Sequence, residues 1–313
     1  MFESFLAAFH VVMPMALLIC VGALIRKIGM IDRPNMRALD QVTFHLFMPA
    51  LMFKNIYGIA IEDGIAVKVA AFTIISLLAV FLFALLVPPK LVSDHHKAAS
   101  IGQIMIRSNY ILFGVAVAES LYGEGGAGPV ALLGAIVVPA TNALAVVILE
   151  INRSGDAKPG KILRSVLKNP MVIAACMALV CKALRFQLPD LIYDGVIRIA
   201  GVTTTISFIS LGVSLDLGEL QGNRYPLVLG VVLRMIVVPA IFLPIAVALG
   251  FRDSTLCSML VLFAAPAGVA CYPMAVAMGA DGPLAGQLVC CTTVLSMFTL
   301  FLFIFLFRVI GLM

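Results

Sequence analysis

Four consecutive residues, Arg107-Ser108-Asn109-Tyr110, interrupt an apolar run that extends from Ala99 to Tyr122. An arginine in such surroundings is expensive and usually has a function or a partner. Its planar fork of donors matches a carboxylate, and the Asn109 amide both donates and accepts. A second apolar run, from Ser254 to Gly279, carries Pro266, Ala267, Gly268 and Val269, then Pro273 and Gly279. Proline removes a helical hydrogen bond and clashes with the preceding turn, while glycine leaves helical geometry at little cost. Both runs therefore predict broken helices, the first at the polar cluster and Gly114, the second at its prolines and glycines. In hydrocarbon the freed backbone groups need protein or a water-filled cavity to satisfy them. Half-helix N-termini at such breaks present free N–H groups and partial positive charge, which suits anion capture. The alternatives are ordinary kinked helices and, for Arg107, snorkelling toward a headgroup layer from about eight residues inside the run.

Other polar residues also lie in apolar surroundings. Arg234, between Leu233 and Met235, predicts a buried partner, either Glu119 or the carbonyls of a broken helix, and reads more as a brace than as a ligand. Glu119, toward the far end of its run, is a candidate proton-responsive carboxylate or an interfacial one. His45 is a second titratable candidate, reading equally as an interfacial residue. Thr203, Thr204, Thr205 and Ser207 either bond back to their own helix or line a cavity.

The elements that must position these groups are long and apolar. Apolar residues make up 62% of the 313 and charged residues 12%, with mean hydropathy +1.13, far from the usual composition of soluble domains. A crossing takes about 20 apolar residues. That length predicts spans near 5–25, 39–57, 64–88, 99–122, 127–150, 169–186, 193–216, 226–250, 254–279 and 283–308. The first is too long for a signal-peptide core and carries Glu3 where a basic segment would stand, with His10 inside it, so it reads as a true span. The fold class is thus all-α integral membrane.

The polar stretch 152–168 divides the chain into two five-span units, 1–151 and 169–313, and reads as a linker. An odd number of spans per unit inverts the second copy, the arrangement of many secondary transporters. The copies register at an offset of about 156–158 residues. Pro14-Met15 matches Pro170-Met171, Pro49 matches Thr205, and Ser108 meets Pro266. Lys and Arg in the loops set orientation. Twelve, including Arg26, Arg37, Lys97 and Arg164, fall on one side, and seven, including Lys54 and Arg198, on the other. The richer side is predicted to be cytoplasmic, with both termini outside.

Other chemistry finds little support. The seven cysteines lie in apolar segments without metal-ligand spacing and read as packing residues. The net charge of +5 sits in loops beside spans and gives no nucleic-acid signal. "GEGGAG" (123–128) lacks the Lys-Ser/Thr of a phosphate loop. No enzyme, cofactor or metal is expected.

"IRSNYILFGVAVAESLYG" (106–123), "FHLFMPALMF" (44–53), and "APAGVACYPMAVAMGAD" with "TTVLS" (265–281, 292–296) together resemble the auxin efflux carrier family, which includes bacterial malate- and malonate-permease-like members. The resemblance runs over nearly the whole chain. It implies ten helices in two inverted repeats, like the bile-acid/sodium symporter fold, with helices 4 and 9 crossing at broken midpoints. It also implies a scaffold of helices 1, 2, 6 and 7 and an elevator-like cycle in the cell membrane. Carried over, Ser108 and Asn109 fall at the first crossover, Pro266, Ala267 and Gly268 at the second, and Pro49 at the family's helix-2 proline. Departures occur at Ala116 and Thr205, where many relatives have proline, at Ser108, where plant carriers have proline, and at Glu119, where plant carriers often have lysine.

The sequence therefore predicts a secondary transporter of a small mono- or dicarboxylate, with substrate held by Arg107, Ser108, Asn109, Tyr110, Pro49, Pro266, Ala267, Gly268 and Val269. Coupling to protons or sodium, or to neither, stays open, and a homodimer through a scaffold helix is the analogy for assembly. The competing class is a receptor binding an organic acid in the same cavity. It is expected to carry a signalling tail, whereas this chain stops a few residues after Arg308.

Overall fold

The computed structural model describes residues 2–58, 66–123, 125–154, 159–215 and 222–313, and all regular structure among them is helical. Outside the described residues lie Glu124 of the glycine-rich loop, 155–158 of the linker, the start of the third predicted span and the end of the seventh. The same holds for the side chain of His10.

The first half contains α1 (Phe2–Lys27), α2 (Arg33–Val42), α3 (Met48–Tyr57), α4 (Val67–Leu86), α5 (Pro88–Leu91), α6 (His95–Ile106), α7 (Tyr110–Tyr122) and α8 (Gly128–Ser154). Then come α9 (Pro159–Lys168), α10 (Pro170–Ala183), α11 (Asp190–Ser214), α12 (Arg224–Val232), α13 (Val238–Ala248), α14 (Asp253–Ala264), α15 (Cys271–Met278) and α16 (Gly282–Val309). Among the described residues, five helical segments are long and apolar enough to cross a membrane: Val67–Leu91, Gly128–Asn152, Asp190–Ser214, Arg224–Ala248 and Gly282–Val309. Shorter apolar helices include α7, α10 and α14. The outer faces are apolar too, with Ile75, Leu82, Phe298 and Leu302 exposed.

Local chemistry sets the starts of several helices. Asp32, Asp94, Asn169 and Asp281 accept from the backbone N–H of Asn35, of His96 and Lys97, of Met171, and of Leu284, respectively. Each cap satisfies donors that a helix start leaves orphaned. The capped ends of α6 and α16 are tied together. The Asp281 N–H donates to the His96 carbonyl, and the Ser100 hydroxyl donates to the Asp281 carbonyl.

Three details differ from the sequence reading. The second span begins earlier than expected: α2 starts at Arg33 and joins α3 through a π turn at Thr43–Phe47. A matching π turn, Leu233–Val237, joins α12 to α13. Pro49 and Pro239 each stand two residues past their π turn, where the widened turn accommodates a ring and a missing N–H. Gly114 does not break its helix. It lies inside α7, and a Cβ there would come within 2.5 Å of Val130 Cγ1, so its smallness allows α7 to pack on α8. The predicted linker contains a helix, α9, with exposed Leu163 and Leu167.

α1 lies along α11, and α3 packs between α10 and α11. The α1–α11 approach is close: a Cβ at Gly22 or at Gly212 would sit 2.1 Å from the carbonyl oxygen of Ile209 or of Ile19. A second group packs α6, α4 and α14 on α8, α7 on α14, and α15 on α16.

Candidate functional site

Two helical rods break at the same place. α6 stops at Ile106 and α7 resumes at Tyr110; α14 stops at Ala264 and α15 resumes at Cys271. The two gaps pair as a short antiparallel bridge between Ser108 and Ala267. The Asn109 N–H donates to the Pro266 carbonyl at 2.9 Å, and the Gly268 N–H donates to the Arg107 carbonyl at 3.0 Å. The Ala267 N–H donates to Thr292 Oγ1 at 3.2 Å. Each break thus satisfies the backbone groups freed by the other, as a low-dielectric interior requires.

Behind the bridge lies Arg234, 1% exposed. Its guanidinium donates to the carbonyls of Met105 (3.0 Å), Leu262 (3.2 Å) and Ala265 (2.8 and 3.2 Å). These oxygens belong to the C-terminal ends of α6 and α14, which carry orphan acceptors and partial negative charge. Of the two partners the sequence allowed for Arg234, the broken-helix carbonyls are the ones present. Glu119 is exposed on α7, away from this centre. His45 is also exposed, with Nδ1 2.9 Å from the Gln41 carbonyl.

In front of the bridge is a cavity of about 130 Å³. Its walls include Arg107, Ser108, Asn109, Tyr110, Gly268 and Val269 from the two breaks, Asn55 from α3, Thr141 and Asn142 from α8, and Thr204 from α11. The N-terminal ends of α7 and α15 therefore meet at this cavity. Three predicted residues are not in the wall: Pro49 lies one residue beyond the lining Met48, Pro266 supplies a bridge carbonyl, and Ala267 is buried in the bridge. Of the candidate hydroxyls in α11, Thr203 Oγ1 donates across to the Phe47 carbonyl of the π turn, and Ser207 bonds back to the Thr203 carbonyl.

The polar groups at the cavity are under-used. Ser108 Oγ and Asn142 Oδ1 are buried without a partner, and Asn109 makes no side-chain cap on α7. Arg107 is 7% exposed. Among the described residues, its guanidinium makes one hydrogen-bonding contact, from Nη1 to the Met274 sulfur at 2.8 Å. A thioether is a weak acceptor, so this buried cation lacks the oxygen partners that Arg234 has.

A family model for membrane transport proteins matches residues 7–304. The chain belongs to the auxin efflux carrier family of membrane transport proteins. No curated protein matches it significantly. This auxin efflux carrier family member is accordingly a multi-pass membrane transporter, with its long apolar helices in a lipid bilayer and a small molecule as its substrate.

A wider space of about 410 Å³, lined by Lys54, Gly58, Gly134 and Tyr193, adjoins the cavity, and the two share Asn55, Ile111 and Val138 as wall residues. A third space, of about 440 Å³, is lined by Arg37, Gln41, Ser214, Tyr272 and Val276. Arg37 and Lys54 sit 17 residues apart along the rod formed by α2 and α3, roughly 25 Å at 1.5 Å per residue. The two larger spaces therefore open at opposite ends of the molecule. Between the Arg37 end and the bridge stands a group that the sequence reading missed. Asp40 on α2 is fully buried, accepts from Ser210 Oγ on α11, and accepts from the Tyr272 hydroxyl on α15 at 3.2 Å. Its signal was available: Met36, Asp40, Thr43 and Phe44 share one helical face and all are buried.

Proposed function

We propose that this carrier moves a small organic anion, a mono- or dicarboxylate, by elevator-type alternating access. The observation that carries the reading is the cavity at the paired breaks, where an undersaturated guanidinium, a free hydroxyl and two helix N-termini converge. A carboxylate supplies the oxygens that Arg107 lacks, with Ser108 and Asn109 as further donors. Interrupted helices meeting at the interface of inverted repeats are a recurrent substrate site in secondary transporters. The repeats are 1–151 and 169–313, joined by 152–168, in ten crossings. α1, α3, α10 and α11 act as the scaffold, and the body carrying the bridge moves against them. In the arrangement described, the cavity shares wall residues with the space at the Tyr193 end and none with the space at the Arg37 end.

The test is uptake by purified protein in liposomes, with labelled malate, malonate, succinate and indole acetate, beside Asn109→Ala and Arg107→Gln. Saturable uptake of one acid that both substitutions abolish, in protein that remains folded, is the expected result. Transport confined to neutral or cationic solutes would overturn the anion reading. Binding of an acid without any flux would favour a receptor.

A further inference from the structure

We propose that Asp40 is a proton-binding latch, holding the moving body against the scaffold at the Arg37 end through Tyr272 and releasing it when the proton leaves. The inference rests on the carrier reading above, which assigns α3 and α11 to the scaffold and α15 to the moving body; α2 continues α3 through the π turn and goes with the scaffold.

The geometry has three parts. First, the carboxyl is out of water and, among the described residues, its hydrogen-bonding partners are two hydroxyls, with no cation. Burying an ionised carboxylate without a counter-charge is costly. A hydroxyl both donates and accepts, so Ser210 and Tyr272 can serve the carboxylate or the neutral acid. Second, the two partners lie on opposite sides of the proposed sliding surface. Ser210 stays with Asp40 on the scaffold, while Tyr272 leaves with α15 and breaks its 3.2 Å bond. Third, Tyr272 is itself a wall of the 440 Å³ space at the Arg37 end. Its withdrawal admits water to Asp40 and gives the proton an exit.

The surrounding groups leave the role to Asp40. α11 contributes the hydroxyls Ser210 and Ser214, and α15 contributes Tyr272. On the same rod, Arg37 lines the 440 Å³ space and is exposed, and His45 is exposed with Nδ1 against the Gln41 carbonyl. By linkage, protons favour whichever arrangement binds them more tightly. Acid therefore favours the latched arrangement, and the equilibrium ratio of released to latched protein rises with pH by up to about tenfold per unit for one proton.

The experiment has two readouts on purified full-length protein. In liposomes with the same pH on both sides, exchange of the transported acid is followed from acidic to mildly alkaline buffer for wild type, Asp40→Asn and Tyr272→Phe. Asp40→Asn, a fixed neutral mimic, should be slow and lose the pH dependence shown by wild type. Tyr272→Phe keeps the ring, loses the latch bond, and should raise exchange at acidic pH. Independently of transport, infrared difference spectra between acidic and alkaline buffer should show a carboxylic C=O band in wild type that disappears in Asp40→Asn. If no acid is transported but the Asp40 band titrates, the carrier reading falls and the proton site stands. If transport proceeds with Asp40→Asn matching wild type at every pH, or the band is absent from wild type, the latch is overturned.

Discussion

Arg107 and Arg234 both flank the same bridge, both almost fully buried, and they are satisfied very differently. Arg234 spreads four hydrogen bonds over three carbonyls at the C-terminal ends of α6 and α14. Arg107 has the sulfur of Met274. Burial alone thus says little about the role of an intramembrane arginine. A saturated guanidinium holds structure together, whereas an undersaturated one beside a cavity is available to a ligand. The backbone shows the same asymmetry. The C-terminal ends of the broken helices are occupied by protein, and the N-terminal ends of α7 and α15 face the cavity.

Removing the brace should have the largest effect. Arg234→Met leaves three buried carbonyls without their donor and should lower stability by about 3–5 kcal/mol, or prevent folding. Arg234→Lys replaces a fork with a compact charge that reaches fewer oxygens, so it should fall between. Thermal unfolding in detergent measures both. If Arg234→Met unfolds like wild type, the brace assignment is wrong.

Arg107 should behave in the opposite way. Arg107→Gln deletes a thioether contact and a buried charge, so the unliganded protein should change by only about 1 kcal/mol, the size of one ordinary hydrogen bond. Its affinity for the transported acid should fall by about 2–5 kcal/mol, as when one partner of a buried charge pair is truncated. Equilibrium binding of labelled acid separates the two quantities.

Smaller changes probe the bridge itself. Thr292→Val removes the acceptor for the Ala267 N–H and leaves a buried donor, at a cost of about 1–3 kcal/mol read as a lower unfolding temperature. Gly268→Ala should matter least for stability, since a Cβ there meets the Ser108 carbonyl oxygen at an ordinary 3.6 Å. It adds a methyl group at the wall of a 130 Å³ cavity, so weaker acid uptake with unchanged unfolding is the expected pattern.

Sequence signals gave some of this geometry and withheld the rest for physical reasons. The breaks were readable because proline, glycine and a polar cluster within apolar runs each disrupt a helix by a known mechanism. That the Ser108 and Ala267 segments meet was suggested by the repeat offset and by the family resemblance, which implies crossing helices. The identity of their backbone partners depends on side-by-side placement that no local pattern encodes. Gly114 looked like part of a break because glycine serves helix distortion and close packing alike. The π turns at Thr43–Phe47 and Leu233–Val237 carry no distinct composition, and the prolines just beyond them gave the available hint. Asp40 was passed over because α2 reads as a polar stretch at a span edge, and its burial emerges when the helix is drawn from Arg33.

The most direct measurement of the central claim is thermal unfolding of wild type, Arg107→Gln and Arg234→Lys, each with and without the transported acid. A ligand that binds the folded state stabilises it, by about 2.7 kcal/mol at a hundredfold excess over Kd. Wild type and Arg234→Lys should both be stabilised by the acid, the latter from a lower starting point, while Arg107→Gln starts near wild type and does not respond. An undiminished acid shift in Arg107→Gln would contradict the account, because the guanidinium facing the cavity would then not be the group that holds the anion.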